Sequence, residues 1–420
     1  MTAASSLRFT GLLLLLVLPF SAVRGDTASG TIPWRSLPHV QRTLGATHHV
    51  WDGETICFSN SQNVIRFYPG RRKADVNGTV VWLNAPVEGS VADGSWRLAA
   101  VDLDLLQLAV LQQTSNGKPE PLRVLLDPGH GGDDEGARCP DPLVKEKDLT
   151  LTLAKRIGTQ LKKAGLHVDY TRTRDITLSL DARARIARTK KANLFISVHA
   201  NHASNLDACG VETYVLPPSG YPGTAEGSRA RGWQIGNRND FHNTLLGFSI
   251  HRHLMSTPET VDRGLKRQSF FVLRETSCPA VLLEFGFLSN AGETRRMLRT
   301  DWQIQSCAAV VEGVLAYARS AKTLDRAVAD KRARDAENNE RWRKHLAAQA
   351  TRAAAEADAQ ADRQLAAVTP SAVSFPTAPS ATLPNAVASA TPTLQQQQGT
   401  NSAPIQMDAL LEYYAPDKVQ

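Results

Sequence analysis

The chain predicts an α/β fold: a mostly parallel sheet with helices on both faces, preceded by a small mainly β module and followed by a helical and then disordered tail. Three observations lead there. From residue 122 to 320, short apolar runs alternate with segments of helical period, the pattern of a largely parallel sheet covered on both sides. Residues 26–113 hold shorter extended runs broken by turn signals. Beyond 320 the composition changes to alanine and mixed charge, then to Pro, Ala, Ser, Thr and Gln.

In the β module, "VIRFYPG" alternates and then turns, and "NGTVVWLNAP" opens on Asn77-Gly78, a strong hairpin signal. Residues 94–111 read as a strand and an apolar segment, and 114–121 as a polar linker. The expected strands of the following domain are 123–127, 166–172, 193–199, 211–216, 269–273 and 280–285. Expected helices are 147–164, 181–192, 241–256 and 302–318. In the first of these, Leu149, Leu153, Ile157 and Leu161 recur every four residues, and Gly165 supplies a C-terminal stop. Residues 321–368 read as an exposed, charged helix, and 369–420 as a low-complexity tail with glutamines at 395–398.

Residues 1–25 have the form of a signal peptide: Arg8, an apolar core at 11–20, then small residues up to Gly25. An exported protein of the periplasm or cell envelope is expected, without a stable membrane span after cleavage. The net charge of +7, from 48 basic and 41 acidic residues, suits an anionic partner such as a cell envelope. No dense basic tract or basic-aromatic platform points to nucleic acid. The five cysteines, Cys57, Cys139, Cys209, Cys278 and Cys307, match no zinc spacing, and scattered thiols are favoured over a disulfide framework.

Four polar residues stand where the strand-helix reading brings them together. In "RVLLDPGHGGDDEGA" an apolar strand stops on His130, wrapped in glycines. Glu146 begins a helix, His199 ends "NLFISVH", and Glu284 closes "AVLLEF". Strand ends of one parallel sheet face one edge, where such sheets place their chemistry. Two histidines and a carboxylate suit a catalytic zinc site with a position left for water. His130, Glu146 and His199 are the expected ligands, and Glu284 the general base and acid. Taken singly each has a plainer reading. A histidine at a strand end is usually structural, Glu146 can be charge at a helix N-terminus, and Glu284 can pair with Arg274 or Arg263.

"LLDPGHGGDDEGA", "KEKDLTL", "TRTRDITLSLDARARIA", "LFISVHAN", "GVETYVL", "DRGLKR" and "PAVLLEFGFLSN" together resemble the ordered motifs of the zinc-dependent N-acetylmuramoyl-L-alanine amidases of the amidase-3 type. The resemblance covers roughly residues 122–318. It implies zinc on His130, Glu146 and His199 and catalysis by Glu284, the same four residues. It also implies peptidoglycan as partner, cleaved between the muramic acid lactyl group and L-alanine of the stem peptide. Asn201 and Arg263 are possible substrate contacts, Arg172 and Arg174 support the fold, and Asp181 and Arg183 form a helix-start network. An activator protein is left open. The runner-up readings are a zinc hydrolase of another wall amide and a non-catalytic peptidoglycan-binding protein.

This chain departs from the family pattern in Cys139-Pro140-Asp141-Pro142, which lengthens and stiffens the stretch before Glu146. It also carries a long polar loop at 217–240, too rich in glycine to read as a helix blocking the site. The N-terminal module, through "IRFYPGRRKADVNGTVVWLNAP", resembles the stalk-type domain found at the N-terminus of some copper amine oxidases, which implies a spacer or wall-binding unit and no copper ligands.

Overall fold

The computed structural model describes residues 32–111, 119, 121–225 and 227–367. The expected signal peptide, most of the expected linker and the low-complexity tail lie outside the described residues. The N-terminal part holds β1 (Trp34–Ser36), α1 (Leu37–Thr43), β2 (His48–Trp51), β3 (Ile56–Ser59), β4 (Val64–Phe67), β5 (Lys73–Val76), β6 (Thr79–Trp82), β7 (Arg97–Ala99) and α2 (Ala100–Leu105), then a π-helical turn at Leu106–Val110. Next come β8 (Arg123–Pro128), β9 (Arg138–Pro140), β10 (Leu143–Lys145), α3 (Glu146–Lys163), β11 (His167–Tyr170), α4 (Leu180–Thr189), β12 (Leu194–Asn201) and β13 (Val211–Val215). A 3-10 turn at Ile235–Asn239 leads into α5 (Asp240–Leu254), β14 (Asp262–Arg267), α6 (Phe271–Arg274), β15 (Ala280–Phe287), α7 (Ala291–Leu298) and α8 (Thr300–Ala367).

Eleven strands make one sheet, in the order β11-β8-β12-β15-β13-β14-β6-β5-β4-β3-β2. Pairing is parallel from β11 through β15, antiparallel between β15 and β13, and parallel again from β13 through β14 to β6. The β module therefore continues the main sheet, with Leu265 of β14 opposite Val81 of β6. From β6 to β2 the sheet is an antiparallel meander. The β5–β6 hairpin turns on Asn77 and Gly78, with φ of 53° and 80°, the left-handed pair that a two-residue turn requires.

The central strands read as unbroken apolar runs because both of their faces are covered. Val124, Leu126, Ile196, Val198, Val281 and Leu283 join the larger core, to which α3 gives Leu149, Leu153, Ile157 and Leu161 and α8 gives Val310 and Val314. The alternate residues Leu125, Phe195 and Leu282 face a smaller core with Ala187 of α4 and Val272 and Leu273 of α6. In the module, Phe58, Phe67 and Trp96 pack with ring centroids 5.7–5.8 Å apart.

One expected strand is corrected. Residues 271–274 of the stretch 269–273 and its border form the helical turn α6, and the strand lies earlier, at Asp262–Arg267. By sequence the apolar Phe271, Val272 and Leu273 suit a strand, but Val272 and Leu273 cover the small core as a helical turn. The motif "DRGLKR", too polar to read as a strand, pairs on both edges. All five cysteines are free. No described helix is long and apolar enough to cross a membrane. The loop from 217 to 234 is irregular throughout its described residues.

Candidate metal centre and active site

The turn after β8 is held from every side. Asp127, fully buried, accepts hydrogen bonds from Arg183 Nη1 (2.7 Å), Thr171 Oγ1 (2.6 Å) and Ser197 Oγ (2.8 Å). Arg183 also donates to the carbonyls of Pro128 and His130, and Arg172 to those of Pro128 and Gly129. Lys147 donates to the Gly132 carbonyl and to Asp175. These bonds fix a loop in which His130 has a φ of 59°, a left-handed conformation that a non-glycine residue keeps only when its surroundings enforce it. The Asp181–Arg185 pair at 3.7 Å is separate and exposed, and Ser179 caps α4, so Arg183 serves the loop more than the helix start.

His130, Glu146 and His199 meet at the C-terminal edge of β8 and β12. Their candidate ligand atoms lie within 4.8 Å of one another. His130 Nε2 is 3.1 Å from Glu146 Oε2, and His199 Nδ1 is 2.9 Å from Glu146 Oε1. Glu146 opens α3 and also accepts from the Ala137 and Ala200 amides, which aim both of its oxygens. Burial alone would raise the Glu146 pKa, but the two imidazoles hold its carboxyl far below the ordinary range. Asp134 lies 2.8 Å from His130 Nδ1, the contact that turns Nε2 toward the cluster and fixes the ring.

Glycine makes the approach possible. A Cβ on Gly129 would stand 2.2 Å from His199 Cε1, and one on Gly136 2.5 Å from Glu146 Oε2. Two imidazoles and one carboxylate, oriented by outer hydrogen bonds and with their ligand atoms this close, are a donor set suited to a divalent metal ion.

Glu284 stands beside this cluster. In the parallel β12–β15 pair it is opposite His199, and in the antiparallel β13–β15 pair it is opposite Glu212. His199, Glu284 and Glu212 thus form a row across three strands on one face. Glu284 is 8% exposed, and its Oε2 is buried without a hydrogen-bond partner. Burial pushes its carboxyl well above the ordinary value, and the charges of Glu146 and Glu212 add to the effect. Neither of the ion pairs open to it from sequence is made: Arg274 pairs with Glu275, and Arg263 with Glu212.

Asn201 and Arg263 also converge here, on Glu212. Glu212 Oε2 accepts from Asn201 Nδ2 (2.9 Å) and the Tyr214 hydroxyl (2.7 Å), and Oε1 from Arg263 Nε (2.7 Å) and Lys266 Nζ (2.5 Å). Burial would raise the Glu212 pKa, yet Lys266 and Arg263 hold it below the ordinary value. Sequence pattern alone does not single out Glu212, Lys266, Asp127 or Asp134. A carboxylate inside the strand "GVETYVL" was the available signal for the first.

Residues 124–316 match the profile of a family described as N-acetylmuramoyl-L-alanine amidase. The chain is 32% identical over 225 residues to the uncharacterized protein YqiI of Bacillus subtilis, covering 53% of this chain and 97% of that one. The chain belongs to the N-acetylmuramoyl-L-alanine amidase family. It is also 29% identical over 214 residues to the N-acetylmuramoyl-L-alanine amidase LytC of Bacillus subtilis, spanning 50% of this chain but only 39% of that relative. Among solved structures, the catalytic domain of CwlV from Bacillus (Paenibacillus) polymyxa var. colistinus is 30% identical with a TM-score of 0.40, covering 47% of this chain and 97% of that one. The family match takes in all four residues of the cluster and its neighbour, His130, Glu146, His199 and Glu284, and ends within α8.

Proposed function

We propose that the protein is a zinc-dependent peptidoglycan hydrolase. It cuts the amide between the lactyl group of N-acetylmuramic acid and L-alanine of the stem peptide, and acts after export to the cell envelope. The observation that carries this is the His130–Glu146–His199 cluster with the unpartnered carboxylate of Glu284 one strand away, inside the matched region. The relatives named as amidases support the choice of bond.

His130 through Nε2, Glu146, and His199 through Nδ1 would hold the zinc, which when bound supplies a Lewis acid and lowers the pKa of its water to about 7. Glu284 takes the proton of the water that attacks the lactyl carbonyl carbon. It then delivers that proton to the alanine nitrogen as the carbon–nitrogen bond breaks, leaving a lactyl carboxylic acid and a free amine. A carboxyl held above its ordinary pKa by burial suits the second half of this cycle, when it must give the proton up from its protonated form. The Asp127–Arg183 pair and Arg172 keep the His130 loop in place, and Asp134 keeps the His130 ring turned.

Digestion of purified peptidoglycan followed by mass analysis of the fragments tests the reading. Intact stem peptides with a free N-terminal L-alanine are expected. Fragments cut within the peptide, or sugars that have lost acetyl groups, would favour the hydrolase of another wall amide. A folded protein that binds the wall, holds no zinc and cuts nothing would favour the binding module.

A further inference from the structure

In a regular strand, residues three apart point to opposite faces. Arg263 and Lys266 of β14 nevertheless reach the same oxygen, Glu212 Oε1. An irregularity explains it: the β13–β14 register shifts between Val211 and Thr213, and Gly264 adopts a φ of 98°. Such bulges re-aim side chains. The residue pressed against this one comes from the β module. A Cβ on Gly264 would lie 2.7 Å from Trp82 Cδ1, and the Trp82 indole N–H donates to the Arg263 carbonyl at 3.0 Å. The Lys266 ammonium lies 5.6 Å from the Trp82 ring centroid and 5.9 Å from that of Tyr214.

The seam continues on both sides of Trp82. The Val80 amide donates to Asp262 Oδ2, and Asp262 Oδ1 is 2.9 Å from buried His251, whose other ring nitrogen meets Thr213 of β13. Arg72 donates to the carbonyls of Pro222 and Gly223 in the long loop. Without β6, β14 would be the edge of the sheet, and its bulge would have no lid.

The geometry points to Trp82 as a positioning residue of the active site. It holds the β14 bulge that places Arg263 and Lys266 on Glu212, and Glu212, which holds Asn201 and Tyr214, stands opposite Glu284 in the β13–β15 pair. The β module is then a fixed part of the catalytic apparatus, not a tether. This rests on the amidase reading and adds a role for residues outside the matched family region.

The test is a double-mutant cycle in the full-length zinc-loaded protein, on a soluble muramoyl-peptide that needs no wall binding. Trp82→Ala and Lys266→Met are each expected to lower kcat by about 10²-fold with KM unchanged, the scale of a small misplacement made away from the chemistry. Because both act through one carboxylate, the double variant should be no slower than the slower single one. Trp82→Phe, which keeps a ring over Gly264 but lacks the N–H, should recover most of the rate, and Trp82→Leu, which fills the space without a ring or an N–H, replaces Trp82→Ala in the cycle if that variant does not fold. Wild-type kcat in Trp82→Ala or its Leu replacement, or a double variant whose losses multiply, would overturn the inference. If the wild-type protein leaves the muramoyl-alanine bond intact, the amidase reading itself has failed, and the two failures are told apart.

Discussion

The two ends of the sheet bury their strands differently. At the β8–β12–β15 end nearly every residue is buried on both faces, and β15 is buried along its whole length. At the other end strands β3 to β6 alternate, with one face in the core and the other turned toward water. A polar residue in an alternating strand needs no explanation, because the outer face is where polar residues go. In a strand covered on both sides a polar residue needs buried partners, as Asp127 and Ser197 have in each other, and Glu284, whose Oε2 has none, stands apart from them.

Substitutions can break or sharpen this contrast, and Arg183→Ala should have the largest effect. It strands the fully buried Asp127 charge and frees the His130 carbonyl, so about 3–5 kcal/mol of stability should go, together with most of the zinc affinity. Chemical denaturation and a zinc titration read the two losses; an Arg183→Ala protein as stable as wild type would show that the loop does not depend on the pair. At the other end, Trp96→Ala in the module's aromatic core should cost about 3–5 kcal/mol as a cavity, read by the same denaturation.

Acid gives a smaller, graded effect. Burial would raise the Asp127 pKa, but Arg183, Thr171 and Ser197 hold it below the ordinary value. The native state therefore binds that proton less readily than the unfolded chain does. Its stabilisation is complete above the ordinary aspartate range and is lost as pH falls through the depressed native value. An Asp127→Asn variant should lack this part of the acid dependence of its midpoint; an unchanged acid profile would count against it. Val50→Ser, on the exposed edge strand β2, should shift stability by no more than about 0.5 kcal/mol and leave turnover alone. A large loss there would mean that this edge is covered.

The same contrast explains what could be read in advance. His130 and Glu284 were legible because each interrupts or ends a strongly apolar run, and α3 because its leucines and Ile157 keep a four-residue spacing. The strand β14 was not, since "DRGLKR" has neither alternation nor an apolar run; it is a strand because β13 and β6 pair with it from either side. Phe271, Val272 and Leu273 gave the opposite error, because a short apolar run fits a buried helical turn as well as a strand. Trp82 and Glu212 act through contacts 181 and 51 residues away, which no local pattern encodes. Even the continuity of the sheet through β6 rests on one register pair, which hydropathy along either strand does not encode.

The central claim is that Glu284 moves the proton while His130, Glu146 and His199 only hold the metal. Turnover of a zinc-loaded Glu284→Gln variant on peptidoglycan tests it most directly. A full complement of zinc with turnover reduced by at least about 10²–10⁴-fold, the range of general acid–base catalysis, is the result expected. Zinc-loaded Glu284→Gln protein that cleaves at close to the wild-type rate would contradict it.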